Sequence, residues 1–307
     1  MSSRPSPPEL GPAIDGERRR WCPTGRASDG AVSFYVAARR RGRPLLLLHD
    51  LGLGSSSYEM RPLFESLRWR RPTYAVDLPG FGLSDRADVS YDPSLFARVL
   101  ADLLEKVRRA DLAADVVALG SGSDVAARVA RDAPSLVRSI VMLEPAGLLS
   151  SGGLALDALS ARVARRIGGA AVRGLFGLLS SRLVMRRRVA ERFYGRPDPG
   201  LVAYAHRTTR EPGAYRAPMA VLGSRPCAAE TALLYRSLTV PVLVVHDARG
   251  STAVELEAFL RGRANRFAVR ISPTRGMPHF ERRTETVAAL DRFWQSLQRA
   301  AWDRAMR

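Results

Sequence analysis

The sequence predicts an α/β protein, with a mostly parallel sheet covered by helices on both faces. Three observations predict it. Short, wholly apolar runs such as Leu45–Leu48 recur along the chain, as strands buried on both faces require. Segments with helical spacing of apolar residues lie between those runs, and this alternation is the mark of strand–helix–strand units. The 307 residues are 46% hydrophobic, enough for one large domain or a domain with an insertion. A chain of this length buries roughly three quarters of its unfolded surface.

Residues 1 to about 16 are rich in Pro and Ser, so a tail without fixed structure is expected over 1–20. Val32–Val36 reads as the first strand, with a turn at Gly42 after it. Leu45–Leu48, Tyr74–Val76, Val116–Leu119, Ile140–Leu143, Val242–Val245 and Phe267–Ile271 read as the strands that follow. Asp92-Pro93 is an N-cap followed by proline in the first turn. Behind it Phe96, Val99, Leu100, Leu103, Leu104 and Val107 keep helical spacing. Thr252–Glu255 has the form of a capping box ahead of Leu256, Phe259 and Leu260. Val287, Leu290, Phe293, Trp294 and Leu297 form the apolar face of the last helix.

Residues 147–236 break the rhythm. No strand pattern is present, and helical pieces alternate with Gly and Pro. A structureless loop of that length does not suit a compact domain. The expected division is therefore a core of 21–146 and 237–307 with a helical cap of 147–236 over the sheet's C-terminal edge. The cap holds fifteen arginines against five acidic residues, over half of the net charge of +18. Its stretch Leu175–Phe193 mixes apolar residues with clustered arginines, which suggests weak contact with anionic lipid besides packing on the core.

The charge raises the question of nucleic acid. Lys106 is the only lysine, the arginines are scattered, and zinc-finger spacing, RNP aromatics and helix-turn-helix patterning are all missing. A solvated arginine-rich surface with no specific nucleic-acid role is expected. Cys22 and Cys227 do not make a disulfide framework or a metal cluster, and four scattered histidines do not make a metal site. No stretch is apolar enough for a spanning helix, and no apolar signal segment stands at the N-terminus. A cytoplasmic protein without cofactor is expected. Gly80-Phe81-Gly82 lacks the spacing and the acidic partner of a dinucleotide fingerprint.

Several landmarks in order resemble the α/β-hydrolase superfamily. Leu45–Gly52 resembles the strand and turn that usually reads His-Gly, where backbone N–H groups form part of an oxyanion hole; here it reads His49-Asp50. Asp77–Ser84 matches the Asp-x-x-Gly-x-Gly-x-Ser turn. Val116–Gly122 with the helix after it resembles strand, nucleophile elbow and helix, and Pro134–Pro145 continues the match. Gly276-Met277-Pro278-His279-Phe280-Glu281 resembles the C-terminal histidine motif. The resemblance covers roughly 26–146 and 237–307. It implies an α/β-hydrolase fold, ester or lactone chemistry if active, and a ligand site for a small apolar or acyl group between core and cap.

In that frame the elbow is Ala118-Leu119-Gly120-Ser121-Gly122, and the nucleophile position is Gly120. Ser121 stands one position on, where the backbone N–H faces the oxyanion. It is either a helix N-terminal residue, like Ser123, or the nucleophile of a shifted elbow. Candidate acids are Asp247, near the expected Arg249 or Gly250 position, and Glu144 at the end of the preceding strand. His279 is the candidate base, although relatives with the same flanking residues carry the histidine at the position of Gly276. His49 reads as structural. The oxyanion donors implied are the N–H groups of Leu51 and Ser121. Two functions follow: a non-catalytic or weakly active homologue that binds a ligand or partner, or a hydrolase with a rearranged site on Ser121 and His279.

Overall fold

The computed structural model describes residues 10–23, 29–38, 41–108, 112–145, 148, 169–224, 228–247, 253–261 and 263–305. Eight strands form one sheet in the order β1-β2-β4-β3-β5-β6-β7-β8. They are β1 (Glu17–Trp21), β2 (Val32–Ala37), β3 (Leu45–Leu48), β4 (Thr73–Asp77), β5 (Ala114–Leu119), β6 (Val137–Leu143), β7 (Val242–His246) and β8 (Arg266–Arg270). β2 pairs antiparallel with β1 and β4, and every other pairing is parallel.

Alternation along the strands divides the core. Leu46, Leu48, Val116 and Ala118 face one apolar layer, whereas Leu45, Leu47, Val117 and Leu119 face the other. On the first side pack α2 (Pro93–Val107) and α3 (Gly122–Asp132). Asp92 caps α2 as its sequence predicts, accepting from the N–H groups of Ser94 and Leu95. On the other side pack α1 (Arg61–Leu67) and the long C-terminal helix through Leu290, Phe293 and Trp294.

The N-terminus differs from expectation. Residues 10–20 are not a loose tail: Leu10, Ala13 and Ile14 are buried, Ala13 N–H donates to the Tyr35 hydroxyl, and β1 begins at Glu17. The Pro/Ser composition conceals three apolar side chains that fill a gap beside Tyr35 and Phe64. Residues 1–9 lie outside the described residues.

Within 147–236 the described elements are helices: α4 (Gly169–Leu179), α5 (Arg182–Ala190), α6 (Pro199–Thr208), α7 (Arg216–Ser224) and α8 (Ala228–Arg236). Asp198 caps α6 and also accepts from the Tyr58 hydroxyl, and Thr208 Oγ1 donates to the Gly54 carbonyl. Both contacts tie α6 to the loop after β3, at the C-terminal end of the sheet. Beyond this segment come α9 (Ala253–Leu260), the short α10 (Pro278–Glu281) and α11 (Arg283–Ala305). Thr252 of the expected capping box lies outside the described residues.

Candidate functional site

The candidate site is built from the turns that leave the C-terminal ends of β3, β5, β6, β7 and β8, where open α/β sheets bind ligands. Between β5 and α3 the chain turns at Gly120, which has φ +53. Its N–H donates to the Leu143 carbonyl, which fixes the turn against β6. Gly122 lets α3 start close to the β3 turn, since a Cβ there would clash with the His49 carbonyl oxygen. The turn between β5 and α3 is therefore sharp and close to β3, with no side chain at Gly120.

Asp50 takes that space. A Cβ built at Gly120 would stand 2.7 Å from Asp50 Oδ1 and 2.8 Å from its Cγ. The same Oδ1 accepts the Leu51 N–H at 2.8 Å, the Ser121 N–H at 3.0 Å and the Ser121 hydroxyl at 2.5 Å. The two backbone donors that the resemblance assigns to an oxyanion hole thus converge on one oxygen, and that oxygen belongs to the protein. A substrate carbonyl aimed at them would meet an occupied position.

Arg192, just past α5, braces this arrangement. Its Nη2 stands 3.6 Å from Asp50 Oδ2, and its Nη1 pairs with Glu59 Oε1 at 2.7 Å. Burial opposes the Arg192 charge, but Glu59 and Asp50 outweigh it and hold the guanidinium above its ordinary value. Glu59 is a hub in the 3₁₀ turn after β3. Its Oε2 accepts the Asp50 N–H at 3.0 Å, and its carbonyl accepts His279 Nε2–H at 2.6 Å. Burial pushes the Glu59 carboxyl up, against the pull of Arg192 and with Asp50 adding to the shift.

The other predicted residues are placed as follows. His279 is fully buried in α10, with Nε2 committed to Glu59 and Nδ1 buried without a partner; burial lowers its pKa to about 4. Among the described residues no hydrogen bond joins it to Ser121, whose hydroxyl is given to Asp50. Ser121 makes no side-chain capping bond to α3, and the Ser123 hydroxyl reaches back to the Ala118 carbonyl. Gly276 has φ +105, and a Cβ built on it would stand 3.7 Å from the Arg192 carbonyl oxygen, in ordinary contact. His49 is buried, accepting the Leu78 N–H at Nε2 and donating from Nδ1 to the Asp50 carbonyl.

Glu144 and Asp247 do come together. Glu144 follows β6 with φ +48, unusual for a residue with a Cβ. Its carboxyl takes a backbone hydrogen bond from Asp247, and Oε1 is buried with no partner. Burial, with Asp247 adding repulsion, pushes Glu144 up to about 8. Arg249 and Gly250 lie outside the described residues. A cavity of about 40 Å³ opens beside Ser121, lined by Leu51, Tyr91, Phe96 and Val125 from the core and Val221 from α7. That is room for a few waters.

Asp50, Glu59 and Arg192 are the residues that sequence reasoning missed. One signal for them was present: a carboxylate at residue 50, where the resembled turn has glycine.

A sheet of this order, with an elbow of this geometry at the end of β5, defines an α/β-hydrolase-fold protein. The pattern of the alpha/beta hydrolase family matches residues 45–290, and the chain belongs to that family. Among curated proteins it is similar to the 2-(acetamidomethylene)succinate hydrolase of Mesorhizobium japonicum, 29% identical over 233 residues, 72% of this chain and 76% of that protein. It is also similar to the 1-acylglycerol-3-phosphate O-acyltransferase ABHD5 of Rattus norvegicus, 34% identical over 106 residues. That match spans 34% of this chain and only 30% of the relative. Among solved structures, a haloalkane dehalogenase DbeA-M1 loop variant from Bradyrhizobium elkanii superposes with TM-score 0.72 at 17% identity, covering 94% of this chain and 99% of that one. The epoxide hydrolase CorEH gives TM-score 0.71 at 21% identity, over 92% and 99%. At these identities the two structures speak for the fold. No described helix is long and apolar enough to cross a membrane.

Proposed function

We propose that this chain is a non-catalytic or weakly active member of the alpha/beta hydrolase family that holds a small apolar or acyl group between the sheet and the helices of 169–236. The observation that carries the reading is the Asp50 carboxylate, which accepts both the Leu51 and the Ser121 N–H in front of Gly120. An acyl-transfer site needs a nucleophile and a free oxyanion pocket. Gly120 has no nucleophile to offer, and the pocket is filled from within. The apolar lining by Leu51, Phe96, Val125 and Val221 suits an apolar ligand.

The competing reading is a hydrolase working through Ser121, His279 and Asp247 or Glu144. The similarity to the 2-(acetamidomethylene)succinate hydrolase of Mesorhizobium japonicum favours it. Against it, Ser121 Oγ faces a carboxylate and not an imidazole, and His279 is tied to the Glu59 carbonyl.

The test is labelling by a serine-directed fluorophosphonate. Turnover of p-nitrophenyl acetate and 2-(acetamidomethylene)succinate is followed alongside, in wild type, Ser121→Ala, Gly120→Ser and Gly120→Ser/Asp50→Gly. The expected result is no labelling and background turnover in wild type, unchanged in Ser121→Ala. Gly120→Ser alone stays inactive, because its Cβ strikes Asp50 and its φ is strained. Labelling appears only in the double variant, which clears the donors. Robust wild-type turnover abolished by Ser121→Ala would overturn the proposal.

A further inference from the structure

We propose that the outer side of the α4–α5 hairpin docks on an anionic lipid bilayer. This does not depend on whether the site is catalytic. The two helices meet at Ser180-Ser181, and each already has a packed inner face. Phe176 and Leu179 of α4 join Ala214, Met219 and Leu222, while Met185 and Val189 of α5 join the main core. The leucines that flank the junction therefore have no place inside. Leu178 is 72% exposed and Leu183 is 78% exposed, and they stand at the end of one helix and the start of the next.

Charge supplies the second observation. Residues 169–190 contain five arginines and no acidic residue. Arg182, Arg186 and Arg187 are exposed, with Arg186 and Arg187 three and four residues on from Leu183 along α5. Arg187 pairs with Glu191, whereas Arg182 and Arg186 have no ion pair among the described residues. Arg210 of the following turn reaches the Ser180 carbonyl at 2.9 Å and so adds its charge to the junction. Burial, then Arg210 and Arg182, lower the pKa of His206, so cations crowd the same corner.

This combination selects the occupant. Solvent-facing leucines at a helix junction gain little from water or from a phosphate backbone, but they gain from entering the acyl boundary of a membrane. The arginines around them can keep their heads at the level of anionic headgroups while their stems lie on the apolar surface. A nucleic acid would use the arginines alone.

The experiment is cosedimentation of the full chain with vesicles of phosphatidylcholine alone and of phosphatidylcholine mixed with phosphatidylglycerol, at low and high salt. A DNA duplex is tested in parallel. Binding to the mixed vesicles, weakened by salt, is expected, with little binding to the neutral ones. Each of Arg182→Gln and Arg186→Gln should lower partition about fivefold. Leu178→Asn and Leu183→Asn should each lower it about tenfold. Arg292→Gln/Arg299→Gln on α11 removes twice the charge of either single arginine variant elsewhere and should still leave partition within about twofold. Melting curves verify that the variants fold. Equal binding to both vesicle types would overturn the proposal, as would leucine variants that bind like wild type. Loss of binding in the α11 control equal to that at the hairpin would reduce the effect to net charge and also overturn it. Duplex binding without vesicle binding, indifferent to the leucines, would assign the surface to nucleic acid instead.

Discussion

Two carboxylates, Asp115 buried and Asp50 half-buried, mark opposite ends of neighbouring strands. Asp115 stands at the start of β5, paired in register with Leu45, and Asp50 stands just past the end of β3. Asp115 is saturated: Arg71 pairs at 2.6 Å, Arg138 at 3.2 Å, and the Ser139 hydroxyl donates as well. Arg43 lies close by, and burial followed by Arg138 lowers its pKa. Here cations outnumber the carboxylate, and every Asp115 oxygen is engaged. At the other end the ratio is reversed. Asp50, Glu59 and Glu144 share Arg192, and Glu144 Oε1 and His279 Nδ1 are buried without partners. The first cluster closes the floor of the sheet and uses all its bonding capacity in doing so. The second keeps strained backbone and unsatisfied polar atoms where ligands bind in this class of sheet.

The largest test of the contrast is Asp115→Ala. It leaves Arg71 and Arg138 largely buried beside each other without a counter-charge. The expected loss of stability is about 3–5 kcal/mol, read from the urea midpoint. A loss below about 1 kcal/mol would mean that water reaches both arginines and that the floor is not closed.

Next comes Arg192→Met, which strips the counter-charge from the Asp50–Glu59 pair. Because the Arg192 side chain is 31% exposed, the expected cost is smaller, about 2 kcal/mol near pH 8. The pH dependence has a definite sign. Glu59 already has a raised pKa in the folded state, and removing Arg192 raises it further. The folded chain then holds a proton that the unfolded chain has released, so the variant gains stability as pH falls. Urea titrations at pH 5 and pH 8 should show a smaller penalty at the lower pH; an equal penalty would deny the ionic role of the pair.

The smallest effect belongs to Glu144→Gln. Glu144 has a folded pKa raised from 4.5 to about 8 by burial and then by Asp247, with Arg192 pulling the other way. Its stabilising contribution is complete below pH 4.5 and is lost as pH rises through about 8. Gln has no proton to lose. The variant should match wild type near pH 4.5 and exceed it by roughly 1–2 kcal/mol above pH 8, after discounting for partial solvation. Parallel stability curves for the two proteins would contradict the buried, strained carboxyl.

Much of the fold is legible in local chemistry. The run Leu45–Leu48 has no polar face to expose, so it must be a central strand, and its alternate side chains enter the two core layers. Asp92-Pro93 fixes where α2 begins, because a carboxylate N-cap and a proline in the first turn satisfy the same helix end. The N-terminal decade misleads for the opposite reason. Its composition is that of a tail, and the burial of Leu10, Ala13 and Ile14 depends on a gap made by Tyr35 and Phe64, far along the chain.

The sequence by itself determined the order of β2 to β8 and the helices α2, α3, α9 and α11, and it placed a glycine at the position that the resemblance assigns to the nucleophile, since these depend on residue type and near-neighbour spacing. It also carried the anomaly of Asp50 at the β3 turn. Only the tertiary structure decided what that aspartate does. The meeting of Asp50 Oδ1 with the Ser121 N–H joins residues 71 apart in sequence. The pairing of Arg192 with Glu59 joins residues 133 apart. Such contacts leave no periodic trace, because one side chain of each kind suffices and either could sit anywhere on its loop. Whether a carboxylate caps a local turn or fills a pocket at the end of the neighbouring strand depends on the packing that brings the turns together.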